Sequence, residues 1–370
     1  MSLLMETILC LYPPFCSPVS PPYSITYLAS FLKQNTKEKV ELFDCNAWLY
    51  EDLLGKDFRP IIKTLETKGL TTYTKLIPEM KKKIDAIAKQ ENKIIREQQT
   101  SKLLDACIQQ ILTYKPTTVL LSLIYNSQAF FALALTKKLK EKGIEVLVGG
   151  PAVTPQLRKE ALALPHEIAL LEHLTKKKSN IKTIKTKRIV DFSLDKQAKY
   201  FSLEKVIPLR TTSCCYYQQC TFCTHHQKGT YVEYDLQDIE ESIRRSKTGY
   251  VFITDDMTHK QRLLDIAKIM KKQNIQWMCQ LRPTNDLDKK TLLTLYQSGL
   301  RLVIWGVESG NNSILKAMKK GTNTKEIEEV LKNSKQVGIT NITYIMFGFP
   351  GETKENFLDT INFLKKNKEY

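Results

Sequence analysis

At 370 residues the chain is longer than one hydrophobic core usually fills, and 42% hydrophobic residues exclude a disordered chain, so two globular domains are expected. The formal charge of +17 comes mostly from lysines scattered over helical stretches, as at Lys81-Lys82-Lys83, Lys137-Lys138 and Lys271-Lys272, without interleaved aromatics; it reads as solvated helix faces before it reads as a nucleic-acid surface. Nine cysteines are too sparse for a small secreted disulfide framework, and four of them fall between 214 and 223, which points to metal chemistry in a reducing, cytoplasmic compartment.

The chain opens on Met-Ser-Leu-Leu-Met-Glu, with no basic leader, and carries no run of about 18 apolar residues, so no membrane span is expected. A first strand, Glu6 to Tyr12, ends at Pro13-Pro14 and precedes a helix from Ile25 to Lys33. A second strand, Val40 to Phe43, ends at Asp44. A charged, mostly helical stretch, 51–115, interrupts the alternation and is expected to be a cap or spacer. A third strand, Thr118 to Ile124, a helix, Ala129 to Lys142, and a fourth strand, Glu145 to Val148, follow, the last ending at Gly149-Gly150-Pro151. This alternation predicts a doubly wound parallel sheet over 1–175, whose ligands lie off the strands' carboxyl ends at Pro13, Pro14, Asp44, Ser122, Gly149 and Gly150. The polar, lysine-dense stretch from Lys176 opens a linker over 176–200.

From 201 to 370 strand and helix alternate again. Strands are expected at Lys205 to Arg210, Tyr250 to Thr254, Gln276 to Leu281, Leu302 to Val307 and Asn341 to Phe347. Helices are expected at Leu236 to Ser246, Lys260 to Lys272, Lys289 to Ser298, Thr324 to Gln336 and Lys354 to Lys366. After the first of these strands comes Cys214-Cys-Tyr-Tyr-Gln-Gln-Cys-Thr-Phe-Cys223, in which Cys215, Cys220 and Cys223 have the spacing C-x4-C-x2-C. Three soft thiolates on one loop suit an iron–sulfur cluster, and in a cubane they leave one iron open to a small molecule. Zinc completed by Cys214, His225 or His226 and a two-iron cluster completed by Cys279 are the alternatives. Cys10, Cys16, Cys45, Cys107 and Cys279 otherwise read as small apolar residues of core or loop.

The other strand ends also carry chemistry: Asp255-Asp256, Arg282, Glu308 within Gly-Val-Glu-Ser-Gly, and Gly348-Phe-Pro-Gly351. Asp255 and Asp256 fit either a helix cap or a ligand contact, and Arg282 either a surface ion pair or an anion contact. Glu308, in an apolar strand, needs partners.

Together these motifs resemble the radical S-adenosylmethionine superfamily, in the branch whose N-terminal domain is like a cobalamin-binding domain. Its pattern Gly-Cys-Tyr-Trp-x-x-Cys-x-Phe-Cys aligns with 214–223, Cys214 taking the place of the glycine. The resemblance implies an α/β chain, a flavodoxin- or Rossmann-like sheet followed by a partial TIM-type barrel lacking its last strand. It implies an enzyme that holds a [4Fe-4S] cluster on Cys215, Cys220 and Cys223, cleaves S-adenosylmethionine reductively to a 5′-deoxyadenosyl radical, and draws its electron from a partner such as flavodoxin or ferredoxin. Phe222 would then pack on adenine and Asp255 and Asp256 would bond the amino group. Arg282 would pair with the carboxylate, Glu308 would bond ribose or amino group, and Gly348, Pro350 and Gly351 would let backbone approach the adenine. Methyl transfer is the expected subclass. The N-terminal part departs from the branch pattern, with Asp44-Cys-Asn46 where a histidine motif stands and no acidic glycine turn in Pro165 to His173. Cobalamin binding and a purely structural domain are therefore both carried. A non-catalytic metal- or RNA-binding protein on a degenerate barrel is the reading from another class.

Overall fold

The apolar runs singled out above are β-strands in the computed structural model, which describes residues 6–53, 55–176, 187–196, 200–202, 204–224 and 229–370, and within 52–77 the side chains of 55, 63 and 76 alone. The chain divides into two compact units, Met1–Lys205 and Val206–Tyr370.

The first unit runs β1 (Thr7–Tyr12), α1 (Tyr23–Asn35), β2 (Lys39–Asp44), α2 (Cys45–Trp48), α3 (Gly55–Arg96), α4 (Lys102–Thr113), β3 (Thr118–Ser122), α5 (Asn126–Glu141), β4 (Glu145–Gly149), α6 (Pro155–Glu160), β5 (Leu162–Ala163) and α7 (Glu167–Thr175). Its five strands pair in parallel in the order β2-β1-β3-β4-β5. Because side chains alternate along a strand, the apolar runs feed two cores. Leu9, Leu11, Val119, Leu121, Val146 and Val148 meet Phe131, Leu135 and Leu139 of α5 on one face. Ile8, Cys10, Leu42, Leu120 and Leu147 meet Ile25, Ala29 and Leu32 of α1 and Leu170 and Leu171 of α7 on the other.

The stretch 51–115, expected as a cap or spacer, is instead part of this layering. Met80 and Ile84 of α3 and Cys107, Ile108 and Ile111 of α4 lie in the core beside α5. Helix α4 is thus the crossover from β2 to β3. Ser101 starts it, accepting from Leu104 N at 3.0 Å and donating to Glu91 at 2.6 Å.

The linker expected over 176–200 is also corrected where it is described, while its lysine-dense part, 177–186, and residues 197–199 lie outside the described residues. Arg188 pairs with Glu167 at 3.1 Å, Asp191 N donates to Ser30 Oγ at 2.9 Å, Phe192 is fully buried, and Phe201 N donates to Pro18 O at 2.8 Å. This strap ends in a buried trio: the Tyr200 hydroxyl lies 2.7 Å from Asp195 Oδ2 and 3.2 Å from Asp44 Oδ2. One hydroxyl proton cannot serve two carboxylates, so one of the acids keeps its own. Burial pushes Asp44 up to about 7, the neighbouring Asp195 adding to it against the bond from Ala47 N. A carboxyl raised in the folded state contributes stability below its unfolded pKa and loses it as pH rises through the folded one. Asn at 44 can accept from Ala47 and donate to Tyr200 without titrating. The stability advantage of Asp44→Asn over wild type is therefore expected to grow by up to about 4 kcal/mol between pH 4 and pH 8 in urea unfolding; parallel pH profiles for the two proteins would contradict the shared proton.

The second unit runs β6 (Val206–Leu209), β7 (Thr212–Ser213), β8 (Val232–Glu233), α8 (Leu236–Ser246), β9 (Tyr250–Ile253), α9 (Lys260–Lys272), β10 (Gln276–Leu281), α10 (Lys289–Gln297), β11 (Leu300–Glu308), α11 (Asn312–Ala317), α12 (Thr324–Gln336), β12 (Thr340–Ile345) and α13 (Lys354–Lys366). Five parallel strands pair in the order β12-β11-β10-β9-β6, and β7 and β8 form a separate antiparallel pair. One face is closed: Ile207, Leu209, Val251, Ile253, Trp277, Cys279, Leu281, Val303, Trp305 and Val307 are buried, as are Leu263 and Ile266 of α9, Leu292 of α10 and Ile327 of α12. The other face stays half open, with Phe252, Met278 and Gln280 only partly buried.

Candidate active site

β6 delivers the chain to its carboxyl end, where β7 and β8 pinch off the cysteine loop, Ser213 Oγ donating to Thr230 O at 3.0 Å. Within the loop the Cys223 amide donates to Cys220 O at 3.2 Å, a turn that brings the last two cysteines together. Cys215 is held by a bridge to Met257, just past β9. The far side of the loop is tied to the end of α11: Thr221 N reaches Met318 O at 3.0 Å, Thr221 Oγ1 reaches Ala317 O at 3.2 Å, and the Tyr217 hydroxyl reaches Lys319 O at 2.8 Å. Gly321 permits this contact, since a Cβ there would sit 2.2 Å from the Tyr217 hydroxyl.

The three thiols are half-buried. Burial pushes the Cys220 thiol up, Lys320 opposes it, Cys215 and Cys223 reinforce it and Arg282 opposes it again. The three sulfurs and two cations thus share one neighbourhood. Among the described residues no three Cys, His, Asp or Glu side chains are closed around a metal position. The donor set fits an iron–sulfur cluster by its chemistry: three soft sulfurs on one loop. His225 and His226 lie outside the described residues.

Arg282, one residue past β10, lies with its guanidinium carbon 3.7 Å from the Tyr217 ring centroid, and its Nη1 donates to Lys320 O at 3.2 Å. Its Nε is buried without an acceptor among the described residues. Glu308 ends β11 at φ 67°, and its Oε1 meets Lys320 Nζ at 2.8 Å, the two side chains only 12% and 8% exposed. Gly306 makes room, because a Cβ there would meet Lys320 Nζ at 2.8 Å. The same ammonium lies 5.7 Å from the Phe222 ring centroid. Lys320 was missed from sequence, for one lysine in a Lys-Lys-Gly run of a lysine-rich chain carries no signal until its carboxylate is located. Lys320→Met, leaving Glu308 buried and alone, is expected to cost about 2–3 kcal/mol in urea unfolding, and adding Glu308→Gln should recover most of it. Additive losses in the double variant would show that the two side chains do not depend on one another.

Asp255 does not stand where a ligand contact would need it. It is 1% exposed, and its oxygens accept from Thr211 N at 2.7 Å, Thr212 N at 3.1 Å, Thr211 Oγ1 at 2.5 Å and Thr258 Oγ1 at 3.1 Å. With these four bonds the carboxylate is filled, and it clamps the end of β9 to the strand leading into the cysteine loop. Burial raises its pKa, against the hydrogen bonds from Thr211 and Thr212. Asp256 pairs with Arg210 at 3.3 Å. Arg262 of α9, also missed from sequence, completes the clamp by donating to Thr211 O at 3.0 Å and to Tyr234 O.

The turn after β12 begins beside Glu308, since Met346 N donates to Glu308 O at 2.9 Å. Gly348 and Gly351 take φ of 76° and 88°, and a Cβ on either would touch nothing within 4 Å. Pro350 between them is exposed. Cys220, Phe222, Arg282 and Glu308 are therefore brought together around Lys320, with Cys215 and Cys223 beside Cys220 and the glycine turn adjoining Glu308, while Asp255 holds the strand that leads into the cysteine loop.

The family model of the radical SAM superfamily matches residues 209–364. Among curated proteins, the bacteriochlorophyllide d C-12(1)-methyltransferase of Chlorobaculum tepidum is 29% identical over 207 residues, 52% of this chain and 44% of that one. The ribosomal protein uS12 methylthiotransferase RimO of Caldanaerobacter subterraneus is 26% identical over 166 residues, 40% of this chain and 38% of that one. The chain thus spans less than half the length of these two relatives. Among solved structures, the cobalamin-dependent S-adenosylmethionine radical enzyme OxsB with aqua-cobalamin bound aligns with 97% of this chain and 52% of its own at a TM-score of 0.64 and 17% identity, a likeness of fold.

Proposed function

Since residues 209–364 are a radical S-adenosylmethionine domain, we propose that the protein is a radical enzyme of the methyl- or methylthio-transferring kind, with its cluster on Cys215, Cys220 and Cys223. The observation that carries this reading is the gathering of those cysteines with Phe222, Arg282, Glu308 and Lys320 at the carboxyl ends of neighbouring parallel strands, where sheets of this class place their ligands. Relatives named as a methyltransferase and a methylthiotransferase support the subclass.

When bound, the cluster and S-adenosylmethionine supply one-electron cleavage of a carbon–sulfur bond, and with it a carbon-centred radical. The residues of this chain hold and orient. Arg282, fixed by the Tyr217 ring and the Lys320 carbonyl, keeps Nε for the methionyl carboxylate. Glu308, fixed by Lys320, retains lone pairs for the amino group or the ribose hydroxyls. Phe222 offers its ring to adenine, and the turn at Gly348, Pro350 and Gly351 offers unencumbered backbone. Asp255 and Arg262 keep the loop in register. The electron is proposed to come from a small reductant protein such as flavodoxin or ferredoxin.

For the first unit we propose a cobalamin-binding-like domain without a protein nitrogen on cobalt. Asn46 accepts from Cys16 N at 2.9 Å, His166 accepts from Ala169 N at 3.1 Å as the cap of α7, and His173 meets Glu145 at 2.8 Å. Asn46, His166 and His173 are thus each engaged within the protein, and none of them is proposed to hold the cofactor.

The test is spectroscopic. Anaerobically reconstituted and reduced protein should change its electron paramagnetic resonance signal when S-adenosylmethionine is added, because three cysteines leave one iron for the cofactor. A signal unaltered by the cofactor in fully loaded protein would refute the reading.

A further inference from the structure

β11 does not end as a regular strand. Its pairing with β12 slips between Gly306 and Glu308, so that Val307 and Glu308 together stand opposite Ile345, a bulge that re-aims a side chain. The Ser309 amide then turns back to Val307 O at 2.9 Å around Glu308, whose φ is 67°. A three-residue turn with positive φ at a centre that carries a side chain is rare and strained. It folds the Glu308 carboxylate back along β11, where Oε1 lies 2.9 Å from the position a Cβ on Gly306 would take and bonds Lys320 Nζ. Strain of this kind persists only where the surroundings hold it. On one side the hold is Met346 N, donating to Glu308 O at 2.9 Å. On the other it is α13. Thr360 and Ser309 are both fully buried; Thr360 Oγ1 accepts from Gly310 N at 3.0 Å and lies 3.1 Å from Ser309 Oγ and 3.2 Å from Asn356 O, while Ser309 Oγ accepts from Asn311 N at 3.1 Å. The protons balance when Thr360 donates to Asn356 O and Ser309 donates to Thr360. Gly310 lets the turn lie this close to the helix, since a Cβ there would stand 2.5 Å from Phe363 Cβ and 2.8 Å from Thr360 Cα.

We infer that Thr360 is a positioning residue for the cofactor site: its hydroxyl, carried by α13, locks the Glu308-Ser309-Gly310 turn and so keeps the Glu308 carboxylate on Lys320, in the orientation in which it would meet S-adenosylmethionine. The inference rests on the proposed function in taking Glu308 as a contact of the cofactor, whereas the link from Thr360 to the Glu308–Lys320 pair rests on the bonds alone. Valine at 360 takes the acceptor from the Gly310 amide and from the Ser309 hydroxyl, and the turn is then free to relax out of the left-handed region. Serine at 360 keeps the strut.

The test uses reconstituted protein and S-adenosylmethionine itself. Thr360→Val is expected to keep its iron, to bind the cofactor about tenfold more weakly by titration calorimetry, and to show a smaller cofactor-induced change of the resonance signal at equal cofactor concentration. Ser309→Ala, which removes one bond of the strut, should weaken the cofactor about threefold. Thr360→Ser, and Leu358→Ala on the exposed side of α13, should each stay within about twofold of wild type. A second readout needs no cofactor: Lys320→Met should shift the urea unfolding equilibrium about fivefold less in the Thr360→Val background than in wild type, because Glu308 is no longer held against the lysine. Unchanged affinity in Thr360→Val, a loss in Thr360→Ser as large as in Thr360→Val, or an equal effect of Lys320→Met in both backgrounds would overturn the inference. Wild-type protein that carries its iron and binds no S-adenosylmethionine would instead count against the proposed function, and the Lys320→Met comparison still decides whether Thr360 holds the turn.

Discussion

Cys215→Ala, Cys220→Ala and Cys223→Ala are each expected to lose nearly all cluster iron and visible absorbance after anaerobic reconstitution, while Cys214→Ala keeps them. The two adjacent cysteines differ in backbone and surroundings. Cys214 takes φ 55°, in the left-handed region, and its Sγ faces Gly229, lying 3.7 Å from where a Cβ on that glycine would be. Cys215 is instead fixed to Met257, and its thiol acts on Cys220 together with that of Cys223. Removing one of three thiolates leaves too few protein ligands to hold a cubane. Because φ near 55° disfavours a side chain, Cys214→Gly should in addition be as stable as wild type or more so. Retention of cluster in Cys215→Ala with its loss in Cys214→Ala would move the ligand set by one residue.

Asp255→Ala is expected to be the most destabilising single change in the second unit, by more than about 4 kcal/mol. It strands two amides and two hydroxyls in a site with almost no access to water, each at about 1–3 kcal/mol. Iron incorporation should fall with it, because Thr211 and Thr212 lead into the cysteine loop. Asp255→Asn is expected to lose only about 1–2 kcal/mol, since Oδ1 can serve both amides while Nδ2 faces hydroxyls able to reverse their roles. Urea unfolding of the two variants checks this. A stable Asp255→Ala that loads iron normally and only weakens S-adenosylmethionine binding would restore the direct contact expected from sequence.

That contrast marks where sequence reading stops. An Asp-Asp pair closing a strand looks the same whether it faces a ligand or the neighbouring strand, and two of the three threonines that fill Asp255 lie more than forty positions earlier. Helix α12 was legible to the residue because Asn323 caps it through Lys325 N and Glu326 N and a Val-Gly pair ends it. Strands β1 and β3 were legible because parallel strands buried on both faces read as unbroken apolar runs. Helix α4 was masked by the charged sequence around it, although Cys107, Ile108 and Ile111 are buried in the core. The strap at 187–196 and the two-residue β5 left no local signature, since Arg188, Asp191 and Tyr200 are held by partners far away in the chain. The basic charge resolves in part into pairs across or along helices, such as Lys272 with Glu240 and Lys366 with Glu328.

The central claim is that the cysteine loop and the strand ends around Lys320 form one radical-generating site. It is tested most directly by incubating anaerobically reconstituted protein with S-adenosylmethionine and dithionite and measuring 5′-deoxyadenosine. The account predicts brown protein with about four irons per chain that forms 5′-deoxyadenosine, and loses that activity in Cys220→Ala. Folded protein that carries a full complement of iron and forms none, or colourless protein that takes up zinc in its place, would contradict it.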